Sequence, residues 1–195
     1  LHHSQDEPLR IWIAGCSTGE EVYSVVISLV EFLEEQSLDR GIQVFATDVS
    51  LSSIEKARVG VYPPSISEDV SPERLKRFFT EVDGGYKIHN RIRETCLFAR
   101  QNILDDPYFS RIDLVICRNV LIYFDLQAQK KAISRFYQAL STGGILALGI
   151  SESIGSLSDL FSLMDKKAKL YGKKTVDTTI LSDLSLFKST DFETD

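Results

Sequence analysis

The sequence predicts a doubly wound α/β domain with a mostly parallel sheet and a small hairpin insertion. Three observations carry that expectation. Apolar runs of strand length alternate with stretches of helical periodicity, in the order strand–helix–strand–helix, an interruption, then further alternating units. The first run, Ile11-Trp12-Ile13-Ala14, stops at Gly15 and gives way to apolar residues at Val22, Val25, Val26, Leu29, Val30 and Leu33, which recur at helical spacings. The later run Ile112–Cys117 is mostly apolar, as a central parallel strand covered on both faces should be.

The elements follow in chain order. Residues 1–9 read as a lead-in and residues 10–174 as one domain. The first strand runs from Arg10 to Ala14, and the first helix from about Glu20 to Gln36. Gly41 breaks the chain before a second strand, Ile42–Asp48, and a second helix, Leu51–Val59. Val61-Tyr62-Pro63-Pro64 stops that helix, because proline has no amide hydrogen to continue it. An insertion spans about residues 62–94. Ser71-Pro72-Glu73 starts a short helix with proline at its first position, and Asp83-Gly84-Gly85 signals a hairpin turn. Cys96–Ala99 is the third strand and Ile112–Cys117 the fourth. Asp125 caps a helix that continues to about Leu140. Gly143-Gly144 turns the chain into a fifth strand, Ile145–Ile150. Phe161 and Leu163 belong to a sixth strand or a short helix, and Lys169–Lys173 to the last strand. Residues 175–195 read as a tail, flexible or docked by Leu181, Leu184, Leu186 and Phe187.

Bulk properties narrow the function. With 195 residues, 43% hydrophobic and 26% charged, the composition is that of a globular domain with a real core. A net charge of -6 argues against general nucleic-acid binding. No apolar run is long enough to span a membrane, and the polar first ten residues show no signal-peptide pattern. Cys16, Cys96 and Cys117 are an odd number without C-x-x-C spacing, which fits reduced thiols in the cytoplasm. A zinc site is not expected from the imidazoles of His2, His3 and His89; the first two read as remnants of an expression tag, and His89 as a surface residue. Arg91, Arg93 and Arg100 form a locally basic run, either a solvated face or a contact for an acidic partner.

The chemistry concentrates between Ala14 and Glu21, where parallel sheets bind ligands at the carboxyl ends of their strands. Gly15 permits a tight turn and close approach of a ligand to the main chain. Ser17 or Thr18 is expected to cap the following helix, with Glu20 or Glu21 completing a capping box. A phosphate-binding loop would offer bare N–H groups and often a lysine, whereas two glutamates would repel phosphate. They suit a ligand with a cationic group or ribose hydroxyls, or they merely favour the helix dipole. Asp48 ends an apolar strand at about the spacing of a ribose-binding carboxylate; capping of the next helix is its other reading, a role Ser50 could equally fill. Gly15–Glu20 reads GCSTGE and lacks the G-x-G-x-x-G of a dinucleotide dehydrogenase.

With those motifs in place, the chain resembles the chemotaxis-receptor glutamate methyltransferases of the CheR type, from about Arg10 to Lys173. The stretches that carry the resemblance are Ala14–Glu21, Ala46-Thr47-Asp48, Asn102-Ile103-Leu104, Cys117–Phe124 and Gly149-Ile150-Ser151-Glu152-Ser153. The resemblance implies a Rossmann-like, class I S-adenosylmethionine-dependent methyltransferase fold. It implies esterification of glutamates on the cytoplasmic helices of chemoreceptors, with S-adenosylhomocysteine as product. It also implies site roles. Ala14 and Gly15 would belong to the cofactor loop, the Glu20-Glu21 region would lie by the amino-acid end of the cofactor, Asp48 at the ribose, and Asn102 and Ile103 at the adenine. Arg118 and Asn119 would line the cofactor site, and Tyr123 would lie near the transferred methyl, with Arg118 and Tyr123 as the catalytic candidates. Plain packing under its helix is the other reading of Tyr123.

The chain departs from the family pattern in three places. Val22 stands where the family usually has proline. The family's helical N-terminal domain, and the Thr and Arg that follow it, have no counterpart here. The chain therefore reads as a domain of a longer signalling protein or a shortened homologue, and the second functional reading is a cofactor-binding module without catalysis. The insertion is also shorter around Asp83-Gly84-Gly85 than in members that grip a receptor's C-terminal peptide, which argues against that grip.

Overall fold

The computed structural model describes residues 7–176, and the chain divides between Gln101 and Asn102 into two compact units. Residues 1–6 and 177–195, with the four apolar residues expected to dock the tail, lie outside the described residues.

In the first unit, β1 (Leu9–Ala14) runs parallel to β2 (Ile42–Asp48), in register from Leu9 opposite Ile42 to Ala14 opposite Thr47. Between them lies α1 (Glu20–Glu35), which buries Val22, Tyr23, Val26 and Ile27. Ile11, Trp12 and Ile13 are fully buried. The Trp12 indole donates to the Thr47 hydroxyl at 2.9 Å, so the buried polar atom of each side chain is satisfied. After β2 comes α2 (Leu51–Val59), capped by the Ser50 hydroxyl, which accepts from the Ser53 amide.

The insertion is a three-stranded antiparallel sheet. β3 (Val61–Tyr62), β4 (Phe79–Val82) and β5 (Gly85–Ile88) take the order β3-β5-β4, with α3 (Pro72–Phe78) leading into β4. Ser71 caps α3 and Pro72 occupies its first turn, where a missing amide costs nothing. α3 is tied to α1 by two ion pairs, Arg74 to Glu31 and Arg77 to Glu34. Of the basic run, Arg91 stacks over the Phe78 ring, and Arg100 donates to the Val49 carbonyl. α4 (Asn90–Arg93) then leads to β6 (Cys96–Arg100), which runs parallel to β2 on the side away from β1.

In the second unit, β7 (Ile112–Cys117) runs parallel to β8 (Leu140–Leu148), and α5 (Leu126–Ala139) connects them. The Asp125 carboxylate caps α5 by accepting from the Ala128 amide at 2.8 Å. β9 (Phe161–Asp165) and β10 (Leu170–Lys173) complete the order β7-β8-β10-β9, with β10 antiparallel to both neighbours. Phe161 and Leu163 are thus strand residues.

β1, β6 and β10 differ from expectation by one residue at one end, and β8 differs by more. β8 begins at Leu140, directly at the end of α5, and ends at Leu148 rather than Ile150. Gly143 and Gly144 lie inside the strand, at an irregularity between the pairs Ile112–Leu140 and Leu114–Ile145. The glycines accommodate a bulge in a continuous strand, not a turn ahead of one. The fold class is as expected: α/β, mostly parallel strands and flanking helices.

Candidate functional site

β1 ends in the glycine loop. Gly15 (φ 76), Ser17 (φ 49) and Gly19 (φ 92) all adopt left-handed backbone. Such a path leaves amide groups pointing away from any regular ladder, and each needs its own partner. The amides of Gly15 and Cys16 donate to the Thr47 carbonyl at 2.7 and 2.9 Å. The Ser17 amide donates to Asp48 Oδ2 at 2.9 Å, and the Gly19 amide to the Cys16 carbonyl at 3.0 Å. Asp48 Oδ1 accepts from the Ser50 amide at 2.9 Å. Asp48 therefore ties the loop after β1 to the turn after β2, while Ser50 caps α2.

The expected capping box is absent. Gly19, in left-handed conformation, is the N-cap of α1, and having no side chain it offers no side-chain cap. The Thr18 hydroxyl instead donates to the Glu20 carboxylate at 2.7 Å. Glu20 and Glu21 occupy the first turn of α1, Glu20 exposed and Glu21 half-buried. Burial, and after it the negative charge of Asp48 and then of Glu20, pushes the buried Cys16 thiol up to about 12. A neutral, sealed thiol is no nucleophile.

In the second unit, the loop after β7 carries Arg118, Asn119 and Tyr123. Arg118 and Asn119 are exposed, and Tyr123 is 81% exposed. Asn119 is left-handed (φ 58), a conformation asparagine tolerates better than most residues. A 3-10 turn over Leu121–Tyr123 leads to Asp125 and α5. The organiser of this loop is Glu152, only 4% exposed. Its Oε1 accepts from the amides of Val120 and Leu121 at 2.9 and 2.8 Å, and its Oε2 from the Gly149 amide at 2.7 Å. One carboxylate thus joins the chain ends that follow two adjacent parallel strands. A Cβ on Gly149 would lie 2.6 Å from Glu152 Oε2 and 3.2 Å from the Asn119 amide nitrogen, so only glycine fits there.

Asn102 and Ile103 form a separate turn at the start of the second unit. The Asn102 side chain accepts from the Leu104 amide and donates to Asp105, and its own amide donates to Asp106 Oδ2. Ile103 is buried. The residues singled out from sequence therefore fall into three groups: Ala14, Gly15, Glu20, Glu21 and Asp48 on one loop pair; Arg118, Asn119 and Tyr123 on another; Asn102 and Ile103 on this turn. Sequence reasoning assigned no role to Thr47, Tyr62 or Glu152. Thr47 and Glu152 lay inside quoted motifs, but their partners are set by strand register and loop path, which a linear pattern does not show.

The chain matches a family model described as "CheR methyltransferase, SAM binding domain" over residues 1–170. The chain belongs to that family. It is 35% identical over 161 residues to a chemotaxis protein methyltransferase of Vibrio parahaemolyticus, covering 80% of this chain and 58% of that protein. It is 37% identical over 161 residues to chemotaxis protein methyltransferase 1 of Pseudomonas aeruginosa, covering 80% and 59%. An uncharacterized 104.1 kDa protein of Rhodobacter capsulatus is 42% identical over 163 residues, which is 84% of this chain and 17% of that protein. The chain spans less than two thirds of the length of each. Among solved structures, a TehB-like SAM-dependent methyltransferase from Corynebacterium glutamicum has the same fold, with a TM-score of 0.50 at 13% identity over 86% of this chain and 82% of that one.

The family's cofactor is S-adenosylmethionine, and the donor set of the glycine loop fits it. Glu20, Glu21 and Asp48 make the loop acidic, and the Cys16 thiol, raised chiefly by burial, is raised further by the charges of Asp48 and Glu20. Such a site favours a positively charged ligand bearing hydroxyls over a phosphate.

Proposed function

We propose that this chain is the cofactor-binding and catalytic domain, residues 10–174, of an S-adenosylmethionine-dependent protein-glutamate O-methyltransferase that acts on chemoreceptor cytoplasmic helices. The observation that carries the reading is the acidic glycine loop, in a chain that matches the CheR family model over residues 1–170. The names of the chemotaxis methyltransferases from Vibrio and Pseudomonas support the substrate class.

The mechanism asks little acid–base chemistry of the protein. A substrate glutamate is already ionised at neutral pH, so its oxygen attacks without a general base. S-adenosylmethionine supplies a methyl group on a positively charged sulfur. The task of this chain is to bind, align and exclude water, effects that together contribute on the order of several kcal/mol. Asp48 uses each carboxylate oxygen once toward backbone amides and keeps lone pairs for the ribose hydroxyls. Glu20 and Glu21 place negative charge where the amino-acid end of the ligand carries its ammonium. Asn102 and Ile103 serve the adenine, and Arg118 and Asn119 the cofactor. Tyr123 offers an exposed ring to a cationic centre, with Arg118 beside it in sequence as the second catalytic candidate.

A second reading is a cofactor-sensing module within a larger signalling protein. It is favoured by the Rhodobacter relative, in which the matched region is 17% of the chain. A tritiated-methyl assay on receptor membranes separates the two. Base-labile volatile label is expected for the enzyme. Calorimetric binding of S-adenosylhomocysteine without any label would leave the sensing module, and no binding heat would remove both.

A further inference from the structure

The small antiparallel sheet touches the glycine loop through one hydroxyl. Tyr62 lies in β3, opposite Tyr86 of β5, and is 5% exposed. Its hydroxyl donates to the Thr18 carbonyl at 3.0 Å. Its ring stands edge-on to Tyr23, with centroids 6.0 Å apart and planes at 77°. Burial raises the phenol well above its usual range, so the group remains a proton donor at every working pH.

The Thr18 carbonyl and the Gly19 amide belong to one planar peptide group, which lies between Thr18 and the left-handed Gly19. Regular structure does not orient that group. Its N–H is held by the Cys16 carbonyl at 3.0 Å, and its C=O by Tyr62. The plane is gripped at both ends, immediately before the helix turn that carries Glu20 and Glu21. Packing closes the same spot: a Cβ at Gly19 would lie 2.9 Å from Ala57 Cβ and 3.1 Å from the Tyr62 hydroxyl.

We propose that Tyr62 is a positioning residue for the cofactor loop, through which the three-stranded insertion helps to set the aim of Gly19, Glu20 and Glu21. The proposal rests on reading that loop as the S-adenosylmethionine loop. Tyr23 supplies the control. It is a buried tyrosine of the same cluster whose hydroxyl donates to the Ala57 carbonyl at 2.7 Å and so holds no peptide group of the loop.

The test compares Tyr62→Phe and Tyr23→Phe in the full chain, with S-adenosylhomocysteine as the probe in calorimetry. Tyr62→Phe is expected to weaken binding about three- to tenfold, the scale of one net hydrogen bond. Tyr23→Phe is expected to lower the thermal midpoint and leave the affinity within about twofold, because its bond orients no peptide group of the loop. Without ligand, amide exchange at Gly19 should speed up in Tyr62→Phe and not in Tyr23→Phe. Equal affinity loss in both variants, unchanged affinity in Tyr62→Phe, or unchanged Gly19 exchange would overturn the role of Tyr62. A wild-type chain that takes no S-adenosylhomocysteine would overturn the reading of the loop itself.

Discussion

The loop that follows β1 is held mainly by main-chain partners, whereas the loop that follows β7 has two of its amides gathered on one buried carboxylate. In the first, the Thr47 carbonyl takes the amides of Gly15 and Cys16, Asp48 takes that of Ser17, and the Cys16 carbonyl and Tyr62 grip the two ends of the Thr18–Gly19 peptide. In the second, Glu152 receives the amides of Val120 and Leu121 together with that of Gly149 after β8, and Gln129 donates to the Leu121 and Phe124 carbonyls. The cause is local. A run with left-handed residues at positions 15, 17 and 19 scatters its amides, and no single side chain can reach them all. The amides of Gly149, Val120 and Leu121 converge on one point, where an acceptor-only carboxylate satisfies them together. Distributed anchoring tolerates the loss of one partner; convergent anchoring does not.

That contrast sets the expected size of each perturbation. Glu152→Ala leaves three amides without their acceptor and should lower unfolding stability by roughly 3 kcal/mol, read from urea midpoints at constant slope. Glu152→Gln retains one oxygen and should lose less; equal losses would show that the three bonds do not act as a group. Asp48→Ala should weaken S-adenosylhomocysteine binding by roughly 1–3 kcal/mol, the scale of hydrogen bonds to a charged group. Unchanged affinity in a folded Asp48→Ala protein would refute the ribose assignment.

Alkaline pH probes the first unit as a whole. Burial pushes Cys16 up to about 12 and Cys96 up to about 11 from an ordinary 9.0. The unfolded thiols ionise first, so the folded state keeps this stabilisation below about pH 9 and loses it as pH rises toward 11–12. Urea midpoints should be level to pH 8.5 as far as these thiols are concerned, then decline. A level profile to pH 11 would mean that the thiols are not sealed. The smallest effect is expected at the surface. Arg74 donates twice to Glu31, at 3.1 and 2.5 Å, yet its side chain is 43% exposed. Arg74→Ala should cost about 0.5 kcal/mol or less, because solvent screens such pairs; a loss above 1 kcal/mol in denaturant titration would give the α1–α3 link an importance its exposure does not suggest.

The regular elements were the most legible part of the sequence. β2, α2 and β7 coincide with the expected ranges, because strand-length apolar runs and the Ser50 cap mark their ends locally. Ser71 and Asp125 cap as expected, since capping uses residues two or three positions away. The insertion was legible as a hairpin from Asp83-Gly84-Gly85, but its third strand, the two-residue β3, was too short to leave a pattern. Gly143-Gly144 looked like a turn because glycine serves turns and bulges alike. In the candidate site, the acidic character of the glycine loop was visible. The true cap, Gly19, was hidden because a left-handed entry leaves no polar side chain as a clue. Tyr62 acts across 44 residues and Glu152 across 31 to reach Leu121, on partners that only the fold brings near.

The Thr47 and Cys16 carbonyls, Asp48 and Tyr62 hold the glycine loop in its curve, and all four are in place once the chain has folded. A ligand entering a cradle already cut to shape has little ordering entropy to supply. Association should then run at a rate governed by diffusion and charge, with ligand residence time rather than arrival distinguishing tight from weak occupants.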